Sequence, residues 1–330
     1  MSERDTFFDC VKGIGILLVL LGHTLPAESF LRRVIYSFHM PLFFIVSGFF
    51  FKSKLNKTFP EVVKTVLITI LIPYVFFLLV WSCCCGWLYR GLFSSDCITN
   101  TIISCLKGCP VINTPCWFLY YLAASSIVLW LMCSCFGKID KHAPLLAIIV
   151  SFVLTLIPVA LPPSVKIFLP LNFFKLMTPV MFMAIGLTIK VYGIRSSAFY
   201  AAPFLVVIML LSLCAECVIV YFGGSLDINS LVVGKIWLLP TALLGAIACF
   251  SFSALVNRFN VMSKPLAYIG LHSLVFFGLD RVLRPWVNKF VGDAGGLALL
   301  IVTLALVSPI CHKFILNTEK GVEWLMKQMR

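Results

Sequence analysis

Runs of about twenty apolar residues recur along this chain with only short polar interruptions, and that pattern leaves few folds open. A run of that length, wound as an α-helix, matches the ~30 Å hydrocarbon core of a bilayer. Ten runs are predicted, over residues 8–25, 35–51, 62–82, 116–136, 144–161, 173–189, 199–222, 231–256, 266–284 and 296–316. Only 12% of the 330 residues are charged and 61% are hydrophobic. A soluble domain carries about 25% charged residues, and half that level cannot cover a chain of this length. The expected fold class is therefore all-α integral membrane, a bundle of about ten transmembrane helices, since helices satisfy their own backbone in lipid. Pro73, Pro179, Pro240 and Pro309 fall inside runs and predict kinks.

The net charge of +13 would suit a nucleic-acid partner if it were concentrated. It is instead dispersed through short loops with no basic arm or dense patch, so no nucleic-acid role is expected. With the N-terminus inside, the loops holding Lys52, Lys54, Lys57, Lys64, Lys138, Lys141, Lys190, Arg195, Arg258 and Lys264 fall on one face, and the bias places both termini in the cytoplasm. The first run follows acidic and polar residues and lacks a small-residue cleavage site, which predicts a retained helix rather than a signal peptide. Arg32 with Arg33, and Arg281 with Arg284, sit on the disfavoured side. They are tolerated loop charges or groups that bind an anionic or polar substrate. Most of the 14 cysteines read as buried thiols. Cys83–Cys85, Cys97, Cys105, Cys109 and Cys116 bracket the longest polar loop, where a disulfide would form in an oxidising compartment. No spacing resembles a metal site.

The first run concentrates the chemistry. Asp9, Lys12 and His23 are its ionisable groups. Lys12 and His23 are eleven positions apart, so they share a helix face and lie roughly 16 Å apart along the axis. Asp9 is one turn before Lys12, close enough to pair with it. Lys12 is either a lysine snorkelling to the interface or a contact for an anionic ligand. His23 is either an interfacial histidine satisfied by a carbonyl or a general base, since imidazole takes and returns a proton near neutral pH. The second run opens Tyr36-Ser-Phe-His39-Met-Pro41. With about a dozen residues between them, His23 and His39 must meet the same membrane face, with Arg32 and Arg33 expected in the loop between. Pro41 is placed near the helix start, where its missing N–H costs little. This arrangement suits a reaction centre and equally a proton-coupled transporter.

These residues also form a pattern. Asp9-x-x-Lys12-Gly-Ile-Gly, Gly22-His23 and Phe38-His39-Met-Pro-Leu-Phe-Phe-Ile-Val-Ser47-Gly48 resemble the opening of the acyltransferase 3 family, in particular the fucose 4-O-acetylase-like membrane acetyltransferases. A basic residue followed by ten residues and a histidine is typical of that family's first helix. Pro115-Cys-Trp117-Phe118-Leu119 resembles its Trp-Phe-Leu, and Tyr268-Ile-Gly270-Leu-His272-Ser273-Leu274 its late Ile-Gly-x-Asn-Ser-Leu. His272 stands where Asn is usual, and Asp280 stands where a histidine is frequent; either Asp280 with Arg281 substitutes for that histidine or the acceptor differs.

The resemblance implies one membrane-embedded acyltransferase domain over residues 1–330. It implies transfer of an acyl group, acetyl by default, from acyl-CoA to a hydroxyl of a carbohydrate or lipid-linked glycan, without a metal. The implied location is the cell membrane, multi-pass, a bacterial inner membrane. The roles implied are His23 as general base or transient acyl carrier, with His39 and Asp9 in the catalytic group. Lys12 falls to the acetyl-CoA donor, and Arg32, Arg33, Trp117 and Asp280 to the acceptor. A transporter or flippase for a polar or lipid-linked sugar, and a non-catalytic membrane partner, remain alternatives. The first predicts internal inverted repeats, which are not visible; the second draws on the departures at His272 and Asp280.

Overall fold

The computed structural model describes residues 6–85, 116–137, 141–161, 171–193, 201–228 and 230–328. All described elements are helical, with no strand among them. Eight helices are long and apolar enough to cross a membrane, and a ninth candidate is the pair interrupted at His272. The loop cysteines Cys97, Cys105 and Cys109 lie outside the described residues. Cys116 is buried, and Cys10, Cys133 and Cys249 are buried free thiols.

The helices fall into two compact units, residues 1–58 with 125–271, and residues 59–124 with 272–330. The first unit holds α1 (Thr6–Thr24), α2 (Phe30–Phe49), the short α3 (Lys52–Leu55), α7 (Ala143–Ala160), α8 (Leu171–Val191), α9 (Ala202–Gly223), α10 (Leu238–Val256) and α11 (Asn260–Leu271). The second holds α4 (Phe59–Val66), a π-helical turn (Leu67–Leu71), α5 (Ile72–Cys85) and α12 (Ser273–Gln328). The boundary falls inside α6 (Trp117–Cys135).

In the first unit α2 is the central helix, packed by α1, α8, α9 and α10. Twelve of its residues are buried, including Ser37, His39 and Pro41. That position explains why it is the one expected run missing from the apolar candidates: a helix surrounded by helices has little lipid-facing surface to cover. Glycines set the closest crossings. A Cβ on Gly13 would overlap the Leu266 carbonyl of α11, and one on Gly270 would overlap the Asp9 carbonyl of α1. Gly48 and Gly186 do the same for α2 against α8, meeting the carbonyls of Met183 and Ile45. Small residues that let backbones touch are how helices associate where no hydrophobic force drives them together.

Three expectations change. The second helix starts at Phe30 instead of residue 35, so Arg32 and Arg33 sit in its first turn and not in a loop. Nothing between Phe30 and Val34 breaks a helix; the arginines lower hydropathy without ending the coil. Pro41 consequently lies in the helix interior, where it removes the N–H that would bond the Ser37 carbonyl. Finally, the loop expected between residues 284 and 296 is helical, because α12 runs 56 residues without interruption. At 1.5 Å per residue that is about 84 Å, far longer than one crossing. Asn288, Lys289 and Asp293 interrupt the apolar pattern there but are compatible with helix.

In the second unit, Pro73 in the first turn of α5 leaves the Thr69 carbonyl without its ladder donor, and the π turn sits at that point. A Cβ on Gly278 of α12 would overlap the Phe77 ring of α5, and Phe76 packs on Phe314 at 5.4 Å.

Candidate active site

The site is read upward from α1 and α2. α1 ends at Thr24, whose hydroxyl donates to the Leu20 carbonyl at 2.9 Å. The connection to α2 is short, closed by the Ser29 N–H donating to the Pro26 carbonyl at 3.1 Å. This brings Gly22 against Tyr36 and Ile35, where an added Cβ would lie 3.0 Å and 3.3 Å from their side chains. His23, next to Gly22, is half-buried and lies within electrostatic range of the His39 ring. The two histidines paired by loop length are thus brought together.

His39 is 4% exposed. Its Nδ1 lies 2.7 Å from the Ile35 carbonyl. A carbonyl only accepts, so Nδ1 carries the proton and the lone pair of the neutral ring is on Nε2. Tyr36 meets the imidazole edge-on at 4.9 Å. Arg32 lies over the Tyr36 ring at 4.9 Å and donates to the Tyr36 hydroxyl and the Leu25 carbonyl, both at 3.4 Å. Arg32, Tyr36 and His39 follow i, i+4, i+7 spacing and share one face of α2. The Leu25 contact sets a cation at the C-terminal end of α1, where the helix dipole favours it.

Arg33 is on the adjacent face, its guanidinium 5.6 Å from the Phe30 ring centre. Ser37 shares that face. Its Oγ lies 2.8 Å from the Val34 carbonyl and 2.8 Å from Glu216 Oε1 on α9. Glu216 is fully buried. Sequence reasoning missed it, although the signal was present: it is the only charged residue in the 22-residue α9, and an ionisable group inside an apolar helix is a functional candidate by default.

At the other end of α1, Lys12 Nζ and Asp9 Oδ1 form an ion pair at 2.6 Å, with the Asp9 side chain 8% exposed. The pairing expected from their spacing is present. Asp9 does not join the histidines: fourteen residues separate it from His23, about 21 Å along the helix. Nearby, Lys190 lies 4.7 Å from the Phe49 ring centre and Lys54 5.3 Å from that of Phe51.

Trp117 and Asp280 belong to the second unit. Trp117 opens α6 and packs edge-on against Tyr121 at 5.7 Å. Asp280 is 1% exposed, and Arg284 donates to its Oδ1 through Nη2 at 2.6 Å and Nε at 3.0 Å. Arg281, next to it in sequence, is exposed: on a helix the neighbour four residues on shares a face, and the adjacent one does not. His272, at the break between α11 and α12, is buried and meets His312 edge-on at 5.1 Å. Among the described residues, no three His, Cys, Asp or Glu side chains converge as a metal site would require.

Residues 5–317 match the profile of an acyltransferase domain, that of the acyltransferase 3 type. The nodulation protein NolL of Sinorhizobium fredii (strain NBRC 101917 / NGR234) is 37% identical over 86 residues, covering 23% of this chain and 24% of that protein. NolL of Mesorhizobium japonicum is 31% identical over 141 residues, covering 39% of this chain and 36% of that protein. The chain thus spans about a quarter to a little over a third of the length of these curated relatives. No solved structure matches it.

Proposed function

The chain belongs to the acyltransferase 3 family, whose profile covers residues 5–317, and from that premise we propose that it is an O-acetyltransferase of the cell membrane, in a bacterium the inner membrane. In this reading it moves an acetyl group from acetyl-CoA to a hydroxyl of a carbohydrate or lipid-linked glycan. The profile extends over both compact units, which supports treating residues 1–330 as one acyltransferase domain. The observation that carries the reading is a buried His39 whose tautomer is fixed by the Ile35 carbonyl, on the helix face that packs against the His23 end of α1 at Gly22.

A hydroxyl is a poor nucleophile until a base takes its proton. His23, half-buried at the end of α1, is the base. As it accepts the proton, the acceptor oxygen forms a bond to the thioester carbonyl carbon and a tetrahedral oxyanion develops. The C–S bond then breaks, the thiolate leaves, and the proton returns from His23 to that sulfur. While neutral, His39 has its only N–H engaged with Ile35, so it offers Nε2 as an acceptor to the substrate hydroxyl or to protonated His23, and it does not donate to the oxyanion. Arg32 and Arg33 are the donors on α2 suited to the oxyanion and the acceptor. Lys12, with Lys54 and Lys190 near the same end of α1, suits the anionic part of the donor, and Asp9 sets the position of the Lys12 ammonium. Within the second unit, Trp117 and Asp280 are proposed for carbohydrate contact on their chemistry alone: an aromatic face suits a sugar ring, and a carboxylate suits its hydroxyls.

The test is acetyl transfer from labelled acetyl-CoA in membranes containing the protein, followed by identification of the labelled glycan or lipid fraction. Label should appear in a glycan fraction only when the protein is present. Consumption of acetyl-CoA with no labelled hydroxyl product, or sugar movement without acetyl-CoA, would overturn the reading.

A further inference from the structure

Glu216 stands apart from every other carboxylate described. It is fully buried on α9, a helix whose other side exposes Leu210, Leu211, Val218, Tyr221 and Phe222. Its inward stripe is Leu205, Ser212, Glu216 and Val220. No cation lies within ion-pair distance of it among the described residues, and its Oε2 is buried without a hydrogen-bond partner. Arg33 shares a face of α2 with Ser37, but its guanidinium is over Phe30. The other titratable side chain near enough to sense Glu216 from a packed neighbour is Cys249 of α10.

The protons around Ser37 can be counted. Its Oγ is at 2.8 Å from two oxygens, the Val34 carbonyl and Glu216 Oε1, yet a serine hydroxyl has one proton. The Val34 carbonyl only accepts. Unless that one proton is shared in a weaker three-centre bond, both contacts are hydrogen bonds when Ser37 donates to Val34 and a protonated Glu216 donates to Ser37. An ionised carboxylate in this seam would instead be a buried charge with one bond and no counter-ion. Ser37 is also the residue whose backbone carbonyl loses its ladder donor to Pro41. The turn of α2 that carries His39 is therefore the turn weakened by proline, and the Glu216–Ser37 bond crosses to it from α9.

We propose that Glu216 is a positioning residue, a neutral carboxylic acid whose O–H donates to Ser37 and so fixes the turn of α2 that aims His39. This rests on the reading of His39 as part of the proton-handling pair, so one arm of the test is independent of activity. The infrared spectrum of purified protein at neutral pH should contain the C=O stretch of a protonated carboxylic acid that disappears in Glu216→Gln. Its absence overturns the proposal whether or not the protein transfers acetyl groups.

The kinetic arm uses the acetyl-CoA assay. Glu216→Gln keeps a donor to Ser37 and retains kcat within about twofold. Glu216→Leu and Ser37→Ala each lower kcat about 10- to 100-fold, the scale of a small misplacement of a reacting group, with KM for acetyl-CoA unchanged. The double variant is no worse than the worse single, because both break one bond. If Glu216→Leu does not fold, Ser37→Ala alone decides. Native kcat in Ser37→Ala, multiplicative losses in the double variant, or Glu216→Gln falling as far as Glu216→Leu would overturn the proposal. A wild-type protein that transfers no acetyl group counts against the proposed function and leaves the infrared result standing.

Discussion

At its N-terminal end α1 presses Gly13 against the Leu266 carbonyl and receives Gly270 against its own Asp9 carbonyl, backbone on backbone. At its C-terminal end Gly22 meets side chains only, the Tyr36 ring and Ile35, and the neighbouring His23 is half-buried. The first end pairs its charges, Asp9 with Lys12. The second sets two imidazoles within each other's electrostatic reach beside Arg32. A crossing with no slack fixes the axis of α1, while a contact between side chains leaves room for groups that bind and release a proton. One helix is thus anchored at one end and carries the proposed site at the other.

The sharpest way to break this comparison is to overfill the anchor. Gly13→Leu or Gly270→Leu should cost about 3 kcal/mol or more and leave little monodisperse protein in detergent; normal yield would show that the crossing is not needed. At the site end, His39→Ala should still insert and purify in detergent, at a cost of about 2 kcal/mol for the emptied space, and lose about 100- to 10,000-fold in kcat. Arg32→Ala removes the link between the α1 end and Tyr36, with an expected loss of about tenfold in kcat, and Arg32→Lys should not restore it, because an ammonium does not stack on the ring as a guanidinium does. Back at the anchor, Lys12→Gln should raise KM for acetyl-CoA about fivefold and leave kcat alone, on the ~1 kcal/mol scale of one charge-assisted contact. A fall in kcat instead would place Lys12 in the chemistry. The smallest effect belongs to Gly22→Ala, whose Cβ would sit 3.0 Å from the edge of the Tyr36 ring; less than about 1 kcal/mol of stability should be lost, read from thermal unfolding, because a ring can shift where a backbone cannot.

The anchor was more legible in the sequence than the site. Helix positions follow from apolar run length, and the Asp9–Lys12 pair follows from i, i+3 spacing. Hydropathy misplaced boundaries wherever polar residues continue a helix: Arg32 and Arg33 were expected in a loop, and residues 285–295 were expected to break α12. It also failed to mark α2 as the central helix, because a helix shielded by helices does not need to be the most apolar. That His23 and His39 come to neighbouring helix ends was legible from the short connection between them. The tautomer of His39 was not, since it depends on one carbonyl distance. Asp280 stood out by its place in the late motif, but its ion pair with Arg284, one helical turn on, was not anticipated. Glu216 was visible as the lone charge in α9, yet its meaning depends on Ser37, 179 residues away in sequence, which no local pattern connects.

The most direct test of the division between the two ends is acetyl transfer from labelled acetyl-CoA by matched amounts of membrane-inserted wild type, His23→Ala and Asp9→Asn. The account predicts that His23→Ala retains normal insertion and loses transfer, while Asp9→Asn keeps kcat close to wild type. Full transfer by His23→Ala, or an equal collapse of kcat in Asp9→Asn, would contradict it.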